Sequence, residues 1–363
     1  MSRVGQTEEE DMNYKSALVA ASLGVAVLLQ ATAAIAQTKV RVGWCTSVPT
    51  TGAVPFAVAT KLGWFKQAGV DVELVNFPGS SDCVRNVATG EVLVAVPTVD
   101  PVAILGLTGV RTQVFYTAYR RNIFGLAVPA DSPIKTYADL RGKKIGVTSM
   151  ASAGVIVARS VAKSTSLDPD RDIRIVVSGQ PAQTAVLLKR GDIDAVSQWD
   201  TQYALMELAG VPMRQLDDKS LSSFPANSFV ATPDTIKTKS DLLSRMMRAY
   251  TMGVLYTIAK PRAASEMFHA VYPQVVPAGM DPVQALDQTT TMLSTVIAKW
   301  TLESTDIRWG ESSLDTYQRY LDWLRDAGIL KDKVDARDIA TNELVDAINK
   351  DLDLKAVEAA LAN

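Results

Sequence analysis

The chain has 363 residues, 47% hydrophobic and 21% charged, the balance of a globular protein with a sizeable core and room for two domains. Its 37 basic and 39 acidic side chains give a formal net charge of −2. Near neutrality a chain has no electrostatic footprint for a phosphate backbone, so nucleic acid is not an expected partner, and the composition also excludes a disordered tail, a collagen-like rod and a cysteine-stapled miniprotein.

The first 36 residues read as an address. A weakly basic start, Met12-Asn13-Tyr14-Lys15, precedes an apolar run from Ala17 to Leu29 and the small-x-small step Ala34-Ile35-Ala36 ahead of Gln37. That is the layout of a cleavable signal peptide, and the run is short of the roughly 20 residues that span a bilayer. The acidic stretch before Met12 suits a signal poorly, which makes Met12 a candidate start. No cysteine sits at the cleavage point, which disfavours a lipid anchor. The segment holds two basic and four acidic residues, so its removal leaves thirty-five of each. The expectation is a soluble protein exported to a periplasm.

From there, strands alternate with helices. Lys39–Trp44 alternates as a strand. A helix over Pro55–Lys61 ends near Gly63, and Trp64 to Gly69 turns into the strand Val72–Val75. Ser81–Thr89 reads as a helix stopped by Gly90, and Val92–Val96 as an apolar strand. Asp100-Pro101 has the acid and N1 proline of a helix start, with Thr112–Ala118 the next strand. Gly125–Val128, Lys144–Val147, Ile173–Val177 and Asp194–Ser197 are further strands, with helices at Val155–Lys163 and Gln183–Arg190 among them. Residues 239–327 turn mostly helical, and the last thirty read as small helices on the surface.

Such alternation predicts an α/β chain with parallel or mixed sheets covered on both faces. Ligands of these folds bind beyond the carboxyl ends of the strands, so the segments that follow strands carry the candidate site. They supply Thr46, Ser47, Ser80, Ser81, Asp82, Asp100, Tyr119, Ser149, Ser152, Trp199 and Asp200. Several open helices, whose free N–H groups favour an anionic group; Ser and Thr there are also the commonest helix caps. Tyr119 can pack against a ligand and hydrogen-bond to it. Trp199 reads as a ligand wall or as core, and Asp200 as an acceptor for an amine or as a helix cap. For Arg120 and Arg121 the alternatives are pairing with a carboxylate or sulfonate and plain solvation. Cys45 and Cys83 can pair in an oxidising compartment or remain buried thiols; with a single histidine, His269, they make no zinc site.

Further residues carry a resemblance. Gly63-Trp64-Phe65 through Ala68-Gly69-Val70-Asp71-Val72-Glu73, the segment Ala88–Val92, Ser132-Pro133-Ile134, Asp139-Leu140-Arg141-Gly142-Lys143-Lys144-Ile145-Gly146-Val147 and Leu187 to Ala195 with its Gly191-Asp192-Ile193-Asp194-Ala195 stand in a specific order. Together they resemble the periplasmic substrate-binding proteins of ABC importers, in the nitrate, sulfonate and taurine branch that includes pyrimidine-precursor binders. The resemblance covers residues 39–232. It implies a two-lobed fold of type II, each lobe a mixed sheet flanked by helices, with a helical C-terminal region. After the signal peptide (1–36), the first lobe would comprise 37–123 and a return over 229–330, the second lobe 124–228, and a helical tail 331–363. Hinge closure on a small organic anion or zwitterion and its delivery to a membrane permease follow.

Two departures qualify that expectation. Relatives carry W-x-P where this chain has Trp199-Asp200-Thr201. Asn227 stands where taurine binders have an acid, which turns the reading from an amino-sulfonate while keeping Asn227 in the expected site. No catalytic residue, metal or cofactor is expected: there is no G-x-S-x-G elbow, P-loop or H-E-x-x-H motif, and His269 falls in a C-terminal helix. The alternatives are a ligand-presenting sensor for a membrane receptor and, further off, a pyrimidine-synthesis-type enzyme of this fold. The expected state is a monomer.

Overall fold

The computed structural model describes residues 37–362 apart from Asp217, Asp218, Glu303 and Thr305; the signal peptide expected over 1–36 lies outside the described residues. The ten strands of the two sheets, in chain order, are β1 (Thr38–Trp44), β2 (Val70–Asn76), β3 (Val94–Ala95), β4 (Gln113–Thr117), β5 (Phe124–Pro129), β6 (Lys143–Val147), β7 (Ile173–Val177), β8 (Ala195–Trp199), β9 (Met213–Leu216) and β10 (Ser228–Ala231). One sheet has the order β2-β1-β3-β10-β4 and the other β7-β6-β8-β5-β9. In the first, β1 runs parallel to β2, with Val40 opposite Val72, and parallel to β3. β10 is antiparallel to β3 and β4. The second repeats the plan: β6 is parallel to β7 and β8, while β5 is antiparallel to β8 and β9. Both sheets are therefore mixed, and the chain passes between them twice, after β4 and after β9.

Three expectations change in detail. The strand expected over Val92–Val96 shortens to Val94–Ala95, although Leu93 N and Val96 N still donate to Arg41 O and Gly43 O of β1. β9 and β10 were not anticipated: Met213–Leu216 carries Arg214 and Gln215, and Ser228–Ala231 is only four residues long. The C-terminal helices are not merely superficial. Ile339, Val345 and Ile348 are buried, and Thr341 N donates to Val114 O (2.8 Å), so the tail docks on the β4 edge.

The main core lies where the helix Val54–Lys61 packs against the helix Ser240–Ala259. Phe56 is fully buried, with ring centroids 4.9 Å from Tyr250 and 5.9 Å from Phe229. Gly253 permits that approach, since a Cβ there would collide with the Pro55 carbonyl. Among the described residues, no helix is long and apolar enough to cross a membrane. Gly253→Ala is expected to destabilise the fold by about 1–3 kcal/mol, the usual range for overpacking. Thermal unfolding would then report a midpoint several degrees lower, whereas an unchanged midpoint would show that the two helices have slack.

Candidate functional site

A tight cavity of about 50 Å³ lies between the sheets, where strand ends meet helix starts. From the first sheet come Trp44 at the end of β1, Cys45 and Thr46 after it, Ser80 at the start of the helix Ser80–Ala88, Val96 after β3, Tyr119 after β4 and Asn227 just before β10. The second sheet contributes Phe124 of β5, Thr148 after β6, Ser152 at the start of the helix Ala153–Ser164, and Trp199, Asp200 and Thr201 at the end of β8. Thr50, Thr51 and Gly52 of the turn before Val54, Ile123 before β5, Ala153 beside Ser152 and Val296 of the helix Pro282–Trp300 complete the wall. Gly52 has a steric reason to be there: a Cβ would collide with the Tyr119 hydroxyl and press on the Trp44 ring.

Several polar side chains of this wall are already engaged. Ser80 Oγ accepts from Thr98 N (3.2 Å), and Ser152 Oγ caps its helix by accepting from Gly154 N (3.1 Å). The Asn227 amide donates through Nδ2 to Val96 O (2.9 Å), leaving Oδ1 buried without a partner; Trp44 Nε1 is likewise buried and unpartnered. Burial pushes the Tyr119 phenol up, and the Asp200 charge adds to that shift, so the phenol stays neutral. Among the described residues, Asp200 is the one carboxylate of the lining. Burial pushes its pKa above the usual carboxylate value, against the opposing pull of Lys299 and of Thr201 N, which donates to Oδ1 (2.8 Å). Lys299 Nζ stands 3.9 Å from Asp200 Oδ2.

Cys45 and Cys83 are joined in a disulfide, with Cα atoms 5.8 Å apart. It ties the segment after β1 to the helix that begins at Ser80, and so links two parts of the same wall.

Seven of the expected site residues line the cavity: Thr46, Ser80, Tyr119, Ser152, Trp199, Asp200 and Asn227. Five do not. Ser47 is exposed, and Asp82 turns to Arg85 (3.5 Å). Ser81 and Ser149 stitch the rim instead: Ser81 N donates to Ala151 O (3.3 Å) and Ser149 Oγ to Pro78 O (2.8 Å). Gly79 lies so close to Ala151 that a Cβ would collide with its carbonyl. Asp100 is buried in the first-sheet half, where Tyr320 Oη donates to its Oδ1 (3.1 Å). Asp200 is the first residue of the helix Asp200–Leu208, with Trp199 as its N-cap. Arg120 and Arg121 face a separate cavity of about 590 Å³, and Arg120 donates to Glu311 O (3.0 Å). His269 bonds Thr289 Oγ1 (2.8 Å) and does not line the 50 Å³ cavity. No cluster able to hold a metal occurs among the described residues.

Of the lining residues missed, Trp44 and Thr148 were legible as strand-end positions. Thr50 and Thr51 had only the neighbouring Gly52 to mark them, and Val296 comes from a helix far along the chain with no local signal.

A family model described as NMT1/THI5 like matches residues 50–264, more than half of the chain. No curated protein matches it. Several solved structures are similar. One is a protein from Bordetella bronchiseptica RB50, 21% identical, with a TM-score of 0.70 over 86% of this chain and 98% of that one. A second is the alkanesulfonate-binding protein SsuA from Xanthomonas axonopodis pv. citri bound to MOPS, 15% identical, TM-score 0.62, over 84% and 99%. A third is the periplasmic nitrate-binding protein NrtA from Synechocystis PCC 6803, 14% identical, TM-score 0.64, over 88% and 91%. At such identities the likeness is one of fold.

Asp100 yields a pH prediction. Burial pushes its carboxyl up to about 6, against the pull of its hydrogen bonds. A raised carboxyl pKa means that folding favours the protonated form, so this contribution is complete below about pH 4 and is lost as pH rises through 6. The amount at stake is about 3 kcal/mol. Asp100→Asn keeps an acceptor for Tyr320 without the charge, so its stability relative to the parent should climb between pH 4 and 6 in urea unfolding. A constant difference across that window would show that Asp100 titrates normally.

Proposed function

This chain belongs to the NMT1/THI5-like family and has the fold of periplasmic binding proteins, and from that premise we propose that it is the solute-binding component of an ABC importer. It captures a small organic solute between the sheets and delivers it to a membrane permease. The observation that carries this reading is the position of the cavity, walled from both sheets at the place where the chain crosses between them twice. In this reading residues 37–123, the return over 229–330 and the tail 331–363 form one lobe, and residues 124–228 the other. The crossings act as the hinge, and the Pro78–Ser149 and Ser81–Ala151 bonds belong to the closed state.

Size and chemistry fit capture better than catalysis. Among the described residues the 50 Å³ lining offers hydroxyls, four aromatic rings and one carboxylate, and no histidine. A second cavity of about 200 Å³ shares Thr50, Thr51 and Thr201 with the first, which gives a ligand room to extend. The Cys45–Cys83 disulfide suits an oxidising compartment such as the periplasm.

The chain from Gln37 onward, unfolded and refolded to strip any copurified solute, should respond in a thermal-shift screen of sulfonates, nitrate, carboxylates, amines and aminopyrimidines. A ligand at about 100 times its Kd adds roughly 2.7 kcal/mol, which reads as a shift of several degrees. Trp199→Ala should weaken that ligand at least about tenfold, roughly 1.4 kcal/mol. Silence across every chemical class would contradict the reading.

A further inference from the structure

We infer that the cleft recognises its solute by a positive charge, an organic ammonium group held by Asp200 among the rings of Trp44, Tyr119, Phe124 and Trp199. This rests on the solute-binding reading and names the chemistry of that same site. It narrows the anion-or-zwitterion expectation to ligands that carry an ammonium, and extends it to plain cations.

The charge inventory of the wall comes first. The cavity is lined by a carboxylate and by no lysine, arginine or histidine side chain. A bare anion enclosed there would meet the Asp200 carboxylate in a poorly solvated space, where like charges repel strongly. The cations that would suit an anion are directed elsewhere. Arg120 and Arg121 line a different cavity, with the Arg120 guanidinium donating to Glu311 O. Lys299 also lies outside the 50 Å³ cavity: it lines a neighbouring one with Asp200, and its Nζ donates to Asn122 O (3.2 Å). Its 3.9 Å separation from Asp200 Oδ2 exceeds a hydrogen bond, so the carboxylate keeps acceptor capacity.

One unpartnered acceptor points the same way. A buried polar group without a partner is costly and calls for an explanation. Asn227 Oδ1 is such an acceptor on this wall, the negative end of an amide dipole whose Nδ2 is already bonded to Val96 O. Burial raises the Asp200 pKa despite Lys299 at 3.9 Å, so a bound ammonium in direct contact would favour the charged carboxylate further. The rings add cation–π attraction, strongest for tryptophan, of which the wall holds two. Trp44 is 6% exposed and its unpartnered Nε1–H is a donor, free to take a hydroxyl or carboxylate at the other end of the solute. Cation and zwitterion are thus both accommodated, and the ammonium is what they share.

The test is isothermal titration of the stripped chain from Gln37 with choline, tetramethylammonium, putrescine and glycine betaine. Ethanesulfonate and nitrate serve as anions, and 3,3-dimethylbutanol as the uncharged isostere of choline. At least one ammonium compound is expected to bind, choline at least tenfold more tightly than its isostere if it is the one. Asp200→Asn should cost that ligand at least tenfold in affinity. The comparison on the parent protein decides the matter even if the variant does not fold. Binding of the anions alone, or an ammonium affinity that Asp200→Asn leaves unchanged, would overturn the inference and leave the solute-binding reading standing. Failure of every compound in both sets and in the wider thermal-shift screen would remove that reading, and the inference with it.

Discussion

The two crossings between the sheets are hydrogen-bonded to each other, and the cleft depends on that pairing. Tyr119 N donates to Asn227 O (2.9 Å) and Ala226 N donates back to Tyr119 O (3.0 Å). The second crossing then enters the first sheet as β10, whose Ser228 lies opposite Thr117 of β4. Tyr119 and Asn227, 108 positions apart in the chain, are thereby fixed side by side and delivered together to the cavity wall. Were β10 added at the sheet edge instead of between β3 and β4, Asn227 would not stand beside Val96, to whose carbonyl it donates. Paired connecting segments can bend together while keeping their mutual register, which is what a hinge between two rigid bodies requires.

Around those crossings the two sheets differ in how they build the cavity wall. The first-sheet wall is braced by covalent and steric constraints: the Cys45–Cys83 bond, and the close fit of Gly52 against Tyr119 and Trp44. On the second-sheet side, Ser152 caps one helix and Asp200 opens another, so that wall is set by local hydrogen bonds at helix starts. Asp200 ties the halves electrostatically through Lys299, a residue of the long helix that packs on the first sheet's side. In the proposed reading, ligand chemistry and interlobe contact would fall on the same carboxylate, linking what binds to how the halves meet.

Much of this organisation was legible in the chain. Apolar alternation marked β1, β2 and β5 to β8, while Pro181 and Pro282, which open helices in the structure, were not used as markers. The strand-end rule led to Thr46, Ser80, Tyr119, Ser152, Trp199 and Asp200, and the family resemblance to Asn227; all seven come together at one cavity. It also led to Ser81, Asp82 and Ser149, which stand within a few residues of that wall yet turn away. Which side chain of a helix's first turn points inward depends on the phase of the helix, and the sequence window does not set that. Asp100, expected as an N-cap, instead lies in the first turn of the helix Val99–Gly106 behind the N-cap Thr98, and Tyr320 of the helix Leu314–Asp326 takes its carboxylate. β10 was invisible for a related reason: four residues become a strand only because β3 and β4, over a hundred residues earlier, leave a place between them.

Hydrogen exchange with and without a stabilising solute tests the central claim most directly, because it locates the site without presuming the ligand. The account predicts slower exchange on both walls together, at residues 45–52 and 119 on one side and 148–154 and 199–202 on the other. Protection confined to one sheet, or centred on the cavity of Arg120 and Arg121, would contradict a solute held between the two.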